Sequence, residues 1–287
     1  MPTEPTVYLN GRFVPMSEAR IPVLDRGFIF GDGVYEVIPA YSGYPFRMAQ
    51  HLARLQWSLD AIKLSNPMTT AQWSRLIKRM IALNEGRDQA VYLQVTRGVA
   101  RRDHAFPSAA TPTVFMMSNP MSVPAKDLVA RGCACVSATD NRWLRCDIKS
   151  TSLLGNVLMR QRAAEAGCLE AIMFRDGFLS EASASNVLVV HGKTVSAPPN
   201  NHLVLPGTTN DVVIELLRKA RIALELREVH EDEVRAADEI WLTSATKEVL
   251  AVTRLDRKAV GSGKPGPLFK RVYRLYQDYK RTVMRRG

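Results

Sequence analysis

The sequence has no long apolar run and few features of a secreted or metal-binding protein. No stretch approaches the roughly 18 apolar residues that a membrane span needs, so we expect no membrane partner. Residues 1–6 lack a basic segment followed by an apolar one, so we expect no signal peptide and a cytoplasmic protein. The cysteines show no Cys-x-x-Cys spacing, which predicts reduced thiols and no zinc or other metal site. They are Cys133, Cys135, Cys146 and Cys168.

Acidic residues are also in short supply. Lys and Arg number 39 against 28 Asp and Glu, which gives a net charge of +11 over 287 residues. This balance raises the hypothesis of a nucleic-acid-binding protein. However, the chain contains no helix-turn-helix, RRM, KH or zinc-finger pattern, so we expect no nucleic-acid partner. Gly31-Asp32-Gly33 is too short for a glycine-rich nucleotide fingerprint, and no Walker-type loop is present.

Strand and helix periodicities are both present and predict a mixed α+β protein. Asn10-Gly11 between two alternating runs predicts an N-terminal hairpin. Apolar residues at three- and four-residue spacing predict helices over 48–64, 70–83, 152–166, from 208 and from 268. The last of these helices is basic, and a solvated face is its expected explanation. Turn residues over 118–124 predict a domain boundary, which divides the chain into 1–119, a linker at 120–125 and 126–287.

Two stretches of the second half could carry chemistry. Lys149 stands between an apolar residue and small hydroxyl residues, so it is either a surface lysine or a nucleophile held in a partly apolar site. The helix start at Gly207-Thr208-Thr209 is either a plain N-terminus, capped by Thr208 with Asp211 completing an approximate capping box, or an anion site. The hydroxyl-rich turn after Thr243 could add phosphate donors, although Ser and Thr are common in turns.

Two further features are charged. Glu181 follows a predicted hairpin, where a glutamate is ordinarily solvated. The loop Arg101-Arg102-Asp103-His104 is either solvated or a carboxylate-binding site, since arginine binds carboxylates through two parallel hydrogen bonds.

Taken in chain order, these features resemble the class IV aminotransferases, the fold type IV pyridoxal-phosphate enzymes, and within them the D-amino acid aminotransferase branch. The block Trp-Leu-Arg-Cys-Asp-Ile-Lys at 143–149 and the Arg-x-His of the basic loop are typical of that branch. The resemblance implies a small N-terminal α/β domain, a larger cofactor domain with a β-barrel-like core, and an active site between them. The stretches that carry it are 25–37, 94–98, 142–150, 181–187 and 208–214.

The resemblance also implies roles for individual residues. Lys149 matches the lysine that bonds to pyridoxal 5′-phosphate and moves the substrate proton. Glu181 matches the carboxylate that faces the pyridine nitrogen, where an anion keeps that nitrogen protonated. Arg54 and Thr209 match phosphate ligands, and Leu205 matches a leucine behind the cofactor ring. The full implied cofactor set is Lys149, Arg54, Glu181, Leu205, Thr208, Thr209, Ser244 and Ala245.

The substrate set implied by the resemblance is Tyr35, Arg102 and His104, which match residues that hold the substrate α-carboxylate. In the family the basic loop reaches the neighbouring active site, so a homodimer is implied. The implied reaction transfers an amino group from a D-amino acid such as D-alanine to a 2-oxo acid such as 2-oxoglutarate. The alternatives within the same fold are a branched-chain L-amino acid aminotransferase, an (R)-amine transaminase and an aminodeoxychorismate lyase.

The sequence departs from the family pattern around the expected phosphate site. Ala184 stands where a serine is expected, Ala245 offers only its backbone N–H, and Pro206 and Thr208 flank Gly207 where relatives carry other residues. These departures bear on the phosphate contacts more than on the chemistry, because a backbone N–H can replace a hydroxyl as a donor.

Overall fold

The computed structural model describes residues 4–286, so Met1–Thr3, on which part of the signal-peptide expectation rests, lie outside the described residues. The chain divides into two compact units. The first contains the chain up to Ser122, Ile148–Leu153 and the chain from Val283, and the second contains Val123–Asp147 and Leu154–Thr282. No helix within residues 4–286 is long and apolar enough to cross a membrane.

The first unit is an antiparallel sheet covered by helices. Its six strands lie in the order β2-β1-β6-β5-β3-β4. These strands are β1 (Thr6–Leu9), β2 (Arg12–Pro15), β3 (Gly33–Tyr41), β4 (Tyr44–Pro45), β5 (Asp88–Thr96) and β6 (Thr113–Pro120). The helices are α1 (Arg26–Phe30), α2 (Met48–Ala61) and α3 (Thr70–Leu83).

The core of the first unit lies between the sheet and the apolar faces of α2 and α3. Leu55 and Leu59 of α2 and Ile77 of α3 are fully buried and belong to the same apolar cluster as β-strand residues such as Leu93. Their three- and four-residue spacing is the periodicity from which both helices were predicted, and α3 has the predicted bounds. The N-terminal hairpin is likewise confirmed, with Leu9 paired to Arg12 across the turn.

Asp25 ties the beginning of α1 to two strands of this sheet. Its buried carboxylate caps α1 by accepting a hydrogen bond from the Gly27 N–H at 2.8 Å. The same carboxylate accepts hydrogen bonds from the hydroxyls of Thr96 at 2.8 Å and Thr113 at 2.6 Å. All three donors are therefore satisfied by one side chain, which fixes α1 against the ends of β5 and β6.

The second unit is a mixed sheet with helices packed on it. Eight strands lie in the order β12-β11-β10-β13-β14-β7-β8-β9, and β15 pairs with β14. The strands are β7 (Cys133–Thr139), β8 (Glu170–Arg175), β9 (Phe178–Ala182), β10 (Asn186–His191), β11 (Thr194–Ala197), β12 (Ala223–Leu226), β13 (Glu239–Ser244), β14 (Glu248–Leu255) and β15 (Lys258–Ala259). The helices are α4 (Lys126–Arg131), α5 (Leu154–Glu165), α6 (Thr208–Lys219), α7 (Glu231–Arg235) and α8 (Pro267–Tyr279).

The structure differs from the sequence predictions at two boundaries of the first unit. Residues 118–120, predicted as an aperiodic turn, continue β6 because Ser118 pairs with Val91 and Pro120 with Gln89. The segment Ile148–Leu153, placed by sequence in 126–287, packs with the first unit. It does so because Ser150 bridges to Val34 of β3, a pairing between residues far apart in the chain that local pattern does not encode.

Two cations of the basic C-terminal segment are not on a solvated face. Lys280 forms a short ion pair with the buried carboxylate of Glu248. Arg285 donates a hydrogen bond to Asp88 at 2.8 Å. Lys270, by contrast, is exposed, which agrees with the solvated face predicted for this helix. Part of the excess positive charge of the chain is therefore paired with acidic side chains of the folded protein.

We expect Asp25→Ala to lower the free energy of unfolding by about 2–4 kcal/mol, because it removes a helix cap and leaves two buried hydroxyls without an acceptor. Urea unfolding followed by circular dichroism measures the change. Asp127→Ala is the control, since this side chain is 70% exposed and its pair with Arg131 spans 3.6 Å. Its effect should stay within about 0.5 kcal/mol, and equal effects of the two variants would contradict the assignment.

Candidate active site

Lys149 lies in an extended segment that runs beside the beginning of β3. The Tyr35 N–H donates to the Lys149 carbonyl at 2.9 Å, and the Lys149 N–H donates to the Ser58 hydroxyl of α2 at 3.2 Å. The backbone of Lys149 is therefore fixed from two sides. Its amine lies over the Tyr35 ring, 4.1 Å from the centroid. Among residues 4–286 no carboxylate forms an ion pair with this amine.

Tyr35 is itself held by an aromatic neighbour. Its ring stacks on that of Tyr92 with centroids 5.5 Å apart, and the Tyr92 hydroxyl donates to the Gln94 side chain at 2.7 Å. Burial raises the pKa of Tyr92 to about 12, so its hydroxyl keeps its proton at neutral pH. The surface that Lys149 faces is thus aromatic and uncharged.

Arg54 belongs to a buried cluster on the opposite side of β3, because successive residues of a strand point to opposite faces. Glu36, the neighbour of Tyr35, accepts hydrogen bonds from Arg54 Nε at 2.7 Å and Nη2 at 2.8 Å. His51 Nδ1 lies 2.8 Å from the same carboxylate. Since His51, Arg54 and Ser58 recur at three- and four-residue spacing, they share one face of α2. That face holds both the guanidinium and the Lys149 backbone.

The charges of this cluster are fixed. Arg54 and His51 together hold the pKa of Glu36 down to about 2 against the effect of burial, so the carboxylate is ionised. Burial lowers the pKa of His51, which leaves its imidazole neutral near pH 7, with Nδ1 donating to the carboxylate. The bidentate pair therefore fixes the plane of the Arg54 guanidinium.

Glu181 lies in the second unit and is also buried. Its Oε1 accepts from Arg142 Nη1 at 2.6 Å, and its Oε2 accepts from the Leu205 N–H at 3.1 Å. Burial raises the pKa of Glu181, and the Arg142 guanidinium opposes that rise. Arg142 is itself oriented by Asp140, whose pKa is held at about 2 by the guanidinium and by the Ser180 hydroxyl.

The beginning of α6 corrects one prediction. Gly207, in an extended conformation, is the N-cap residue, and Thr208 is already helical, so Thr208 does not cap the helix. Gly207 has this position because a Cβ there would lie 1.9 Å from Asn186 Oδ1. Asn186 in turn donates to the Leu205 carbonyl at 2.9 Å. The Thr209 hydroxyl makes no hydrogen bond within residues 4–286, so it remains available to a ligand together with the helix N–H groups.

Ser244 and Ala245 lie at the same edge of the sheet as Asn186. Thr243 pairs with Asn186 across β13 and β10, so the turn after Ser244 lies beside the turn before Asn186. The Ser244 hydroxyl accepts from the Lys247 N–H at 3.2 Å and so closes its own turn. Glu181, Leu205, the beginning of α6 and this turn are therefore brought together at one edge of the second unit.

Arg102 and His104 lie elsewhere in the first unit, on the exposed loop between β5 and β6. Arg26 fixes the loop by donating to the Asp103 carbonyl at 2.5 Å. The Phe30 ring lies 5.4 Å from the Arg102 guanidinium and 5.4 Å from the His104 ring. Within residues 4–286 no contact joins either side chain to Tyr35.

Several residues of these clusters were missed by the sequence analysis. Glu36 had a detectable signal, because a charged residue in an apolar strand followed by His51 and Arg54 at helical spacing indicates a buried ion pair. Arg142 had none beyond its position in the family-like stretch 142–150, and Asp140, which lies just before that stretch, had none. No group of three or more His, Cys, Asp or Glu within residues 4–286 is placed to hold a metal ion.

We expect Glu36→Gln to cost roughly 3 kcal/mol of stability at pH 7, because the folded-state pKa of about 2 lies well below the value in the unfolded chain. A lowered carboxylate pKa contributes stability above the unfolded value, and that contribution disappears as the pH falls toward 2. The gap between variant and parent should therefore shrink below about pH 4.5 in urea titrations. Exposed Glu18→Gln is the control; a gap independent of pH would argue against an ionised Glu36.

Comparison with known proteins identifies the family of this chain. The model of the amino-transferase class IV family matches residues 33–255. A D-alanine aminotransferase of Bacillus licheniformis is 41% identical over 95% of this chain and 96% of its own, and one of Staphylococcus aureus strain MW2 is 34% identical over 95% and 97%.

Solved structures share the fold. A T.th. branched-chain amino acid aminotransferase with pyridoxamine 5′-phosphate matches at a TM-score of 0.92 and 22% identity, covering 100% of this chain and 97% of its own. The branched-chain enzyme of Escherichia coli matches at 0.89 and 22%, with coverage of 95% and 93%. The predicted mixed α/β fold and the family resemblance are confirmed. This chain belongs to the class IV aminotransferases.

Proposed function

We propose that this chain catalyses transamination between a D-amino acid and a 2-oxo acid, with D-alanine and 2-oxoglutarate as the working pair. Pyruvate and a D-amino acid such as D-glutamate are then the products. The observation that carries the proposal is 41% identity to a D-alanine aminotransferase over 95% of the chain. In the same proposal the enzyme works in the cytoplasm, which suits its four free cysteines.

The residues that the family resemblance assigns to the cofactor have the chemistry that suits pyridoxal 5′-phosphate, the cofactor of class IV aminotransferases. When bound, the cofactor supplies an electron sink for the carbanion formed at the substrate α-carbon. Glu181 would hold the ring nitrogen, and Leu205 would pack on the ring. The phosphate would be held by Arg54, by the N–H groups and hydroxyls at Thr208 and Thr209, and by the turn at Ser244 and Ala245. The Thr209 hydroxyl, which makes no hydrogen bond in the described part of the chain, suits this role.

Lys149 performs the proton transfer in this proposal. Its amine would hold the cofactor and, once the substrate is bound, would receive the proton from the substrate α-carbon. Among residues 4–286 no carboxylate forms an ion pair with this amine, which lies over the Tyr35 ring, so no ion pair has to be broken before it accepts a proton. The fixed backbone of Lys149 lets the amine approach the α-carbon from one side. A fixed carboxylate position then decides which enantiomer places its α-hydrogen toward Lys149.

The substrate carboxylate is held in this proposal by Tyr35 of one subunit and by Arg102 and His104 of the other, so the enzyme is a homodimer. Two observations support it. Arg102 and His104 have no contact with Tyr35 within the described chain. The first unit also exposes several large apolar side chains near α1 and the basic loop, which suits an interface. They are Val23, Leu24, Phe28, Val99 and Phe106, and Phe28 is 74% exposed.

Lys149→Ala should lower D-alanine transamination by at least about 100-fold, because it removes the proton-transferring amine. Coupled detection of pyruvate with 2-oxoglutarate as acceptor measures the loss. Borohydride reduction of the parent enzyme should fix the cofactor on the peptide that contains Lys149. Exposed Lys126→Ala should retain full activity and labelling.

A parent enzyme that transaminates L-leucine and ignores D-alanine would refute the substrate assignment. A label on another lysine would refute the role of Lys149, whatever the substrate.

Mixing two inactive variants tests the shared site. In a heterodimer of Lys149→Ala and Arg102→Ala subunits, one of the two sites receives both intact residues if the loop acts on the neighbour. Random exchange should then restore about a quarter of the parent activity. No recovery after verified subunit exchange would show that Arg102 acts within its own subunit, and a monomeric mass in light scattering would exclude the dimer.

A further inference from the structure

Glu170 is a fully buried acid at the beginning of β8. Its Oε2 accepts from the Ala184 N–H at 2.7 Å and from the Ser183 hydroxyl at 3.2 Å. Its Oε1 accepts from the Ser185 hydroxyl at 2.5 Å. One carboxylate thus binds all three residues of the turn that follows Glu181. Ala184, which lacks the serine hydroxyl expected there, is held through its backbone.

Lys247 brings a second turn to the same carboxylate. Its amine lies 2.8 Å from Glu170 Oε1, and its side chain is 22% exposed. The turn of Lys247 connects β13 to β14 and begins at Ser244, whose hydroxyl accepts from the Lys247 N–H. Glu170 therefore connects the turn after Glu181 to the turn that contains Ala245.

Glu248, the next residue, is held in place by contacts with α8 and with the residues that follow it. It has φ of +56°, a left-handed conformation that is unfavourable for a residue with a side chain. Gln277 donates to its carboxylate at 2.6 Å, and Lys280 forms an ion pair with it. The turn is thus held on one side by α8 and the residues after it, and on the other by the pair of Lys247 with Glu170.

Between the two turns lies the pair of Asn186 and Thr243, next to the beginning of α6. The Thr243 hydroxyl lies 3.4 Å from the Asn210 side chain in the first turn of α6. A shift of the turn at Ala245 would therefore change the distance between its N–H groups and those of α6. An anion that binds both sets of donors is sensitive to that distance, because hydrogen bonds weaken steeply away from 2.7–3.2 Å.

We infer that Glu170 and Lys247 are positioning residues for the cofactor phosphate. The pair does not touch the phosphate; it fixes the turn at Ser244 and Ala245 relative to the turn after Glu181, so that donors of the turn and of α6 converge on one anion. The positive charge of Lys247 is paired with the Glu170 carboxylate and not with the phosphate. This inference rests on the proposed function only in that the phosphate binds at this edge of the sheet.

The test measures pyridoxal phosphate affinity rather than turnover. Holoenzyme of each variant is resolved from its cofactor and titrated with pyridoxal phosphate, and inorganic phosphate is used as a competing probe. Lys247→Met should raise the dissociation constant for both by about tenfold, since residues of one network couple by this order. Lys247→Arg should restore most of the affinity. Glu170→Gln should weaken binding as Lys247→Met does, and the double variant should be no weaker than either single one.

Arg235→Met is the matched control, because Arg235 pairs with Asp256 at 3.0 Å beyond the other end of β14. It should leave both dissociation constants unchanged. The melting temperature of each cofactor-free variant is measured alongside, so that a loss of affinity in a protein of parental stability is separated from general destabilisation. Because Lys247 is partly exposed, its variants remain informative even if Glu170→Gln fails to fold.

Three outcomes overturn the inference. Unchanged dissociation constants in the Lys247→Met protein remove any role for the pair. Additive losses in the double variant show independent effects. A loss for Lys247→Met together with unchanged or tighter binding for Glu170→Gln identifies Lys247 as a direct phosphate ligand. A parent protein that binds no pyridoxal phosphate refutes the proposed function itself, which is distinguishable from all three.

Discussion

A carboxylate that is buried away from water needs hydrogen-bond donors around it, and most of the geometry described above follows from that requirement. Asp25, Glu36, Glu170 and Glu181 are all buried. Asp25, Glu170 and Glu181 each bind groups from more than one segment, and Glu36 joins its strand to α2, so these acids fix loops and helices that would otherwise be independent. In a chain with a net charge of +11, arginines and lysines supply many of these donors. The positive excess therefore serves the interior as well as small anionic ligands.

The two units use this principle in different ways. In the first, Glu36 orients Arg54 while α2 also fixes the backbone of Lys149, so the guanidinium and the lysine backbone are placed by the same helix face. In the second, Arg142 orients Glu181. Arg54 and Glu181 are thus each held by a second charged residue that is itself fixed by neighbours, which is the condition for a preorganised site.

Local patterns predicted the elements well and their partners poorly. The apolar spacing of α3 is a property of fourteen consecutive residues, and its bounds could be read from the sequence. The pairing of Ser150 with Val34 depends on residues more than a hundred positions apart, so no local pattern assigned Ile148–Leu153 to the first unit. Thr208 was misjudged as a cap because the reason for Gly207 at that position, the nearby Asn186 side chain, lies about twenty residues earlier. The individual site residues came from resemblance to a family rather than from periodicity, and they remain proposals.

The left-handed conformation of Glu248 has a consequence for the order in which the protein is made. The strand that begins at Glu248 and the turn before it are synthesised some thirty residues before Gln277 and Lys280, which hold its carboxylate. While the chain is still growing, nothing from α8 opposes relaxation of this residue to an ordinary backbone conformation. The final shape of the turn therefore depends on α8 being in place, because the contacts of the Glu248 carboxylate with Gln277 and Lys280 exist only then.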